Sequence, residues 1–84
     1  MKRILSKNQY EYMSNGIKMS MPYLINKIDS QVVNDKVIIN VSEDVACGIR
    51  DWAMDRQVRV GFDENYSLTD EGQILNDLID VFYE

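Results

Sequence analysis

The stretch Ser42-Glu-Asp-Val-Ala-Cys-Gly-Ile-Arg-Asp-Trp-Ala-Met-Asp-Arg56 restricts the fold more than any other, because it carries the only tryptophan on an uninterrupted helical period. Ser42 suits an N-cap, and Glu43 and Asp44 stand in the first turn, where the helix dipole favours negative charge. Val45, Ile49, Trp52 and Ala53 recur at steps of four, three and one and so gather on one helical face. Asp44, Asp51 and Asp55 form a separate stripe. The pattern predicts a central amphipathic helix with Trp52 as core anchor and a carboxylate row facing outward. Arg56 would project into the apolar arc if the helix ran that far. The expectation is therefore an end near Met54, the alternative being a pair between Arg56 and an acid such as Asp55 or Glu64. Cys47 and Met54 fall outside the arc and are expected to be half-exposed, the alternative being an apolar spot that contacts a partner.

A chain of 84 residues, 45 % hydrophobic with a single proline, is expected to form one small globular domain. One cysteine cannot form an internal disulfide, which suits a reducing, cytoplasmic setting. Met1-Lys-Arg-Ile-Leu-Ser has too short an apolar run for a signal peptide, and no window approaches a membrane span.

Near the start, Gln9–Ser14 and Ile17–Met21 flank Asn15-Gly16, the dipeptide that best fits a type I′ hairpin turn. That register places Tyr10, Tyr12, Ile17, Met19 and Met21 on one face and Glu11, Lys18 and Ser20 on the other. The preferred expectation is a hairpin; the competitor is a helix from Ser6 ending at Gly16. Pro22–Ile28 could make two turns of helix, with Pro22 at its first position. Gln31–Val33 and Lys36–Val41 read as strands joined by a tight turn at Asn34-Asp35. Ile38 is apolar between Val37 and Ile39, so that second strand is expected to be central and partly covered on both faces. Val58–Phe62 is either a short strand or the end of the central helix, and Asp63–Ser67 is a polar loop.

The last segment predicts a second helix. Thr69 or Ser67 caps it, Asp70 and Glu71 occupy its first turn, and Gly72 lies early, where it costs least. Ile74, Leu75, Leu78, Ile79, Val81 and Phe82 form a wide apolar stripe, with Asp70, Asp77, Asp80 and Glu84 opposite. The fold class expected is α+β: an antiparallel sheet with an N-terminal hairpin, covered on one face by two amphipathic acidic helices.

No stretch carries catalytic, metal or cofactor chemistry. Asp63-x-Asn65-x-Ser67 imitates the start of a calcium loop, but Leu68 stands where the sharp turn needs Gly and Ile74 where the bidentate Glu belongs. There is no histidine to complete a zinc set or to activate Cys47. The chain reads as a non-enzyme without cofactor.

The informative feature is charge. Before Ser42, six bases (Lys2, Arg3, Lys7, Lys18, Lys27, Lys36) face three acids; from Ser42 onward, eleven acids face only Arg50, Arg56 and Arg59. Lys2, Arg3, Lys7 and Lys18 lie near tyrosines as in a stacking platform, but the acidic half would repel a polyanion, so no direct nucleic-acid partner is expected. The acidic rows are either the solvated sides of two amphipathic helices or a binding surface; like charges at Asp51 and Asp55, with no lysine to pair, carry a small stability cost that suggests selection for a basic partner. Such a partner is the nucleic-acid-binding surface of another protein, whose phosphates the carboxylates replace locally. The partner-binding set read from the sequence is Asp44, Asp51, Asp55, Phe62, Asp63, Glu64, Tyr66, Asp70, Asp77 and Asp80, with Tyr83 as a further apolar contact. In size, lack of catalytic equipment and acidic carboxyl-terminal half, the chain resembles the small inhibitor proteins that bacteriophages of Gram-positive hosts make to disable host factors. The resemblance is one of type and carries no residue over. A toxin-immunity protein or antitoxin matched to a basic nuclease is the alternative. A structural or regulatory homodimer joining the basic and acidic halves is a third.

Overall fold

A computed structural model describes residues 1–83. Glu84, expected on the acidic side of the last helix, lies outside the described residues. The elements in order are β1 (Lys2–Ser6), α1 (Lys7–Ser20), α2 (Pro22–Ile25), β2 (Asp29–Val33), β3 (Lys36–Asn40), α3 (Glu43–Val60) and α4 (Asp70–Val81). The three strands make an antiparallel sheet in the order β1-β3-β2, and the chain is an α+β fold.

The sheet confirms the reading of residues 31–41. Val33 pairs with Lys36 across the two-residue turn, and Asn34 takes the left-handed conformation such a turn requires (φ 57°). β3 is central, with Val37 and Ile39 buried on one face. The other face is only partly covered, as expected: Ile38 is half-buried, while Ile4 beside it on β1 is 61 % exposed. β1, to which the sequence reading assigns no element, pairs Leu5 with Val37, and Val41 extends the ladder by bonding to Met1.

The N-terminal hairpin is corrected. Residues 7–20 are a single helix, α1, and Ser6 is its cap in a capping box: the Ser6 hydroxyl accepts from the Gln9 amide, and the Gln9 side chain accepts from the Ser6 amide. Gly16 is not a turn residue. A Cβ there would overlap the Trp52 indole, with Cε2 and Cη2 at 2.9 Å, so the missing side chain lets α1 close onto the tryptophan. Met13 and Ile17, one turn apart, are buried, whereas Met19, placed on the apolar face by the hairpin register, is 85 % exposed. α2 is a single turn rather than two, burying Leu24, with Ile28 packed against the core beyond it.

α3 begins as expected at Ser42, whose hydroxyl accepts from the Val45 amide, and buries Val45, Ile49, Trp52 and Ala53. Its end near Met54 is corrected. The helix continues to Val60 and stops at Gly61, so Val58–Val60 are helix and not strand. α4 starts at Thr69, not Ser67: the Thr69 hydroxyl accepts from the Gly72 amide at 3.0 Å and donates to the Val60 carbonyl at 2.9 Å. Gly72 also has a tertiary role, since a Cβ on it would press into the Gly61 backbone, with its carbonyl carbon at 2.8 Å.

The core is one cluster joining Leu5, Val37 and Ile39 of the sheet to Met13 and Ile17 of α1, Ile49 and Trp52 of α3, and Leu75, Leu78 and Phe82 of α4. Every fully buried residue among the described ones is apolar, and Arg50 Nε is the one buried side-chain nitrogen there without a hydrogen-bond partner. Two arginines serve the end of α4: Arg3 Nε donates to the Val81 carbonyl at 2.7 Å, and Arg50 stacks over Tyr83 at 5.2 Å. A cation is favourable at a helix C-terminus.

Candidate interaction surface

The helical rise spreads the acidic residues. Asp44 lies in the first turn of α3, and Asp51 and Asp55 two to three turns on; all three are exposed. The α3 row is not uncompensated, because the helix reaches Arg59, whose guanidinium stands 3.4 Å from Asp55. Asp51 and Asp55 border a groove of about 470 Å³ that also contains Ser20, Met21, Trp52, Arg56 and Arg59, a wall of mixed sign. On α4, Asp70 and Asp80 are exposed at opposite ends, roughly 15 Å apart at 1.5 Å per residue. Asp77 is half-buried and accepts from Gln73 Nε2 at 2.9 Å. The carboxylates thus form two rows rather than one cluster.

The structure does bring together the residues between α3 and α4. Phe62 pairs with Leu68 as an isolated antiparallel bridge, closing a tight loop. Inside it, Asp63 Oδ1 accepts from the amides of Asn65 (2.8 Å) and Ser67 (2.9 Å), and the Tyr66 amide donates to the Asp63 carbonyl at 3.0 Å. The Asp63 carboxylate that imitated a calcium ligand is therefore engaged in holding its own loop. Phe62 (48 %), Tyr66 (87 %) and Leu68 (41 %) stand exposed at this tip, beside Glu64 and Asp70. Leu68 was not legible as a surface residue; only its pairing with Phe62 places it there. Tyr83, by contrast, is engaged by Arg50.

A second constellation missed by the sequence reading joins three helices. Tyr12 of α1 donates to a Glu71 carboxylate oxygen on α4 and accepts from Arg56 Nε of α3 at 2.9 Å, while Arg56 Nη2 reaches Glu71 at 3.4 Å. Arg56 thus pairs with an acid at the rim, as the alternative reading has it, but the acid is Glu71 rather than Asp55 or Glu64. Burial raises the Tyr12 pKa, and its hydrogen bond to Glu71 raises it further. The Tyr10 hydroxyl lies 3.1 Å from that of Ser30. Of the tyrosines in the basic half, Tyr10 and Tyr12 are thus half-buried and bonded within the fold, while Tyr23 is exposed.

Among the described residues no group of three or more His, Cys, Asp or Glu is placed to hold a metal ion, and no helix is long and apolar enough to cross a membrane. Comparison with known proteins finds no matching family model, no matching curated relative and no matching solved structure.

Proposed function

We propose that the chain is a non-enzymatic, cytoplasmic protein-binding inhibitor whose acidic helical surface occupies the basic, nucleic-acid-binding site of a target protein. The observation that carries this reading is the charge on α3, α4 and their connection. No lysine follows Lys36, and among the described residues only two ion pairs form there, Arg56–Glu71 and Arg59–Asp55. Asp44, Asp51, Glu64, Asp70 and Asp80 are exposed without a cation within pairing distance among the described residues. A basic partner gains from all five at the encounter step, where complementary charge raises the association rate. Mimicry of a nucleic acid is local. Duplex DNA presents a charge about every 1.7 Å, far denser than residues one or two helical turns apart.

The test is retention of a host protein from lysate at low and high salt, with a bait carrying Asp44→Asn, Asp51→Asn and Asp55→Asn as control. The expected result is one basic nucleic-acid-binding protein held by the wild type and lost by the control. Equal retention by both baits would make the α3 row a solvated face only. The alternative, an immunity protein or antitoxin for a basic nuclease, shares this chemistry. It is told apart by whether the retained protein is a nuclease toxin encoded beside the chain.

A further inference from the structure

Tyr66 holds a backbone conformation that disfavours it, and its ring gains nothing from the fold. Its φ is 61°, in the left-handed region. The bonds from the Tyr66 amide to Asp63 and from the Asp63 amide to the Ser67 carbonyl (2.9 Å) define a short connection whose last turn residue is left-handed. Gly or Asn ordinarily occupies that position, because a Cβ there crowds the following carbonyl. A tyrosine would be expected to offset this by burying its ring, yet Tyr66 is 87 % exposed. Strain kept at an exposed aromatic points to use outside the isolated chain.

We propose that the Phe62–Leu68 tip is the anchor of the interface, with the Tyr66 ring entering an apolar pocket rimmed by lysine or arginine on the partner protein. This rests on the binding reading above and moves its centre from the helical rows to the connection between them. Phe62 and Leu68, which bridge each other and are both substantially exposed, belong to the same short connection as Tyr66 and add apolar surface to the tip. Its rim is acidic, with Glu64, Asp70 and the outer oxygen of Asp63, and this selects a cationic surround. The same carboxylates repel nucleic acid and a second copy of the tip. The loop is fixed by its own hydrogen bonds, so little ordering is lost on docking. Tyrosine is among the residues most often dominant at interface centres.

Two folded variants carry a photo-reactive phenylalanine analogue, one in place of Tyr66 and one in place of Asp44, about 24 Å away along α3 from the tip end. Each is irradiated in the cells the chain comes from, with wild type or Tyr66→Asn protein as competitor. The expected outcome is one protein adduct from position 66, its modified peptide lying among lysines or arginines. Wild type abolishes it, and about 30-fold more Tyr66→Asn is needed for the same effect. Tyr66→Asn itself should melt no lower than wild type, and by relief of the backbone a few degrees higher. An adduct from position 44 alone overturns the tip as anchor while leaving the acidic-surface reading standing. No adduct from either position overturns both. A cross-linked pair of identical chains, equal competition by Tyr66→Asn, or a lowered melting temperature each overturn the proposal as well.

Discussion

Gly16 shows how one residue can carry opposite meanings. In most helices alanine at such a site adds about 1 kcal/mol of stability over glycine. Here its methyl group would overlap the indole of a tryptophan that is 4 % exposed. Overpacking of a filled core costs about 1–3 kcal/mol. Gly16→Ala is therefore expected to destabilise the protein by about that much in urea unfolding followed by Trp52 fluorescence. The neighbouring exposed Asn15 gives the contrast. Asn15→Ala should be neutral or stabilising by about 0.5 kcal/mol, since alanine is the better helix former. Loss of stability at Asn15 would indicate a turn there and contradict α1. Arg56 belongs at this scale too. Its place in the apolar arc looked incompatible with a continuing helix, and it is resolved by Tyr12 and Glu71, which lie 44 and 15 residues away in sequence.

At the scale of elements, the α3 and α4 helices were legible because a cap, an acidic first turn and a 3.6-residue apolar period coincide in each. The β2–β3 hairpin was legible from Asn34-Asp35 between apolar runs. α1 was misread because Asn15-Gly16 is the best short hairpin signal and the flanking residues happen to alternate in polarity. The counter-signal, Ser6 followed three residues later by Gln9, was weaker only because it stands at the junction with a strand that itself lacks a sequence signature. The cap of α4 was left open between Thr69 and Ser67, and the structure separates them. The Thr69 hydroxyl makes both cap bonds. Thr69→Val keeps its shape and removes those bonds, so it should cost about 1–2 kcal/mol in chemical unfolding. Ser67→Ala should stay within about 0.5 kcal/mol. The reverse order would relocate the cap.

At the scale of the whole molecule, the Tyr12–Arg56–Glu71 group ties α1, α3 and α4 at the rim of the core. Tyr12 has a folded pKa above the ordinary 10.0, chiefly through burial and then through its bond to Glu71. The unfolded chain therefore releases this proton first as pH rises. The stability linked to neutral Tyr12 is complete below about pH 10 and is lost as pH climbs through the higher folded value. Tyr12→Phe should lower stability at neutral pH by removing two hydrogen bonds and should flatten the alkaline fall in the urea midpoint. An unchanged alkaline slope would place the effect on another group. The sheet leaves the opposite side of the molecule open, with Ile4 and Ile38 between Lys2 and Lys36. Three strands of five residues offer only about 250 Å² there by strand spacing and rise, well below the roughly 800 Å² per partner of a stable interface.

Local physics explains which features the sequence by itself determined: the class α+β, the central strand, the two long amphipathic helices with their burial stripes, and the separation of charge between the halves. Each rests on propensity, capping or periodicity acting within about twenty residues. Tertiary structure alone decided whether Gly16 marked a turn or a contact, how far α3 ran past Arg56, and which of the candidate residues became neighbours. Those outcomes depend on partners distant in the chain. Trp52 fills the space over Gly16, Tyr12 and Glu71 accommodate Arg56, and Leu68 returns to pair with Phe62. A sequence read along its length records none of these distances.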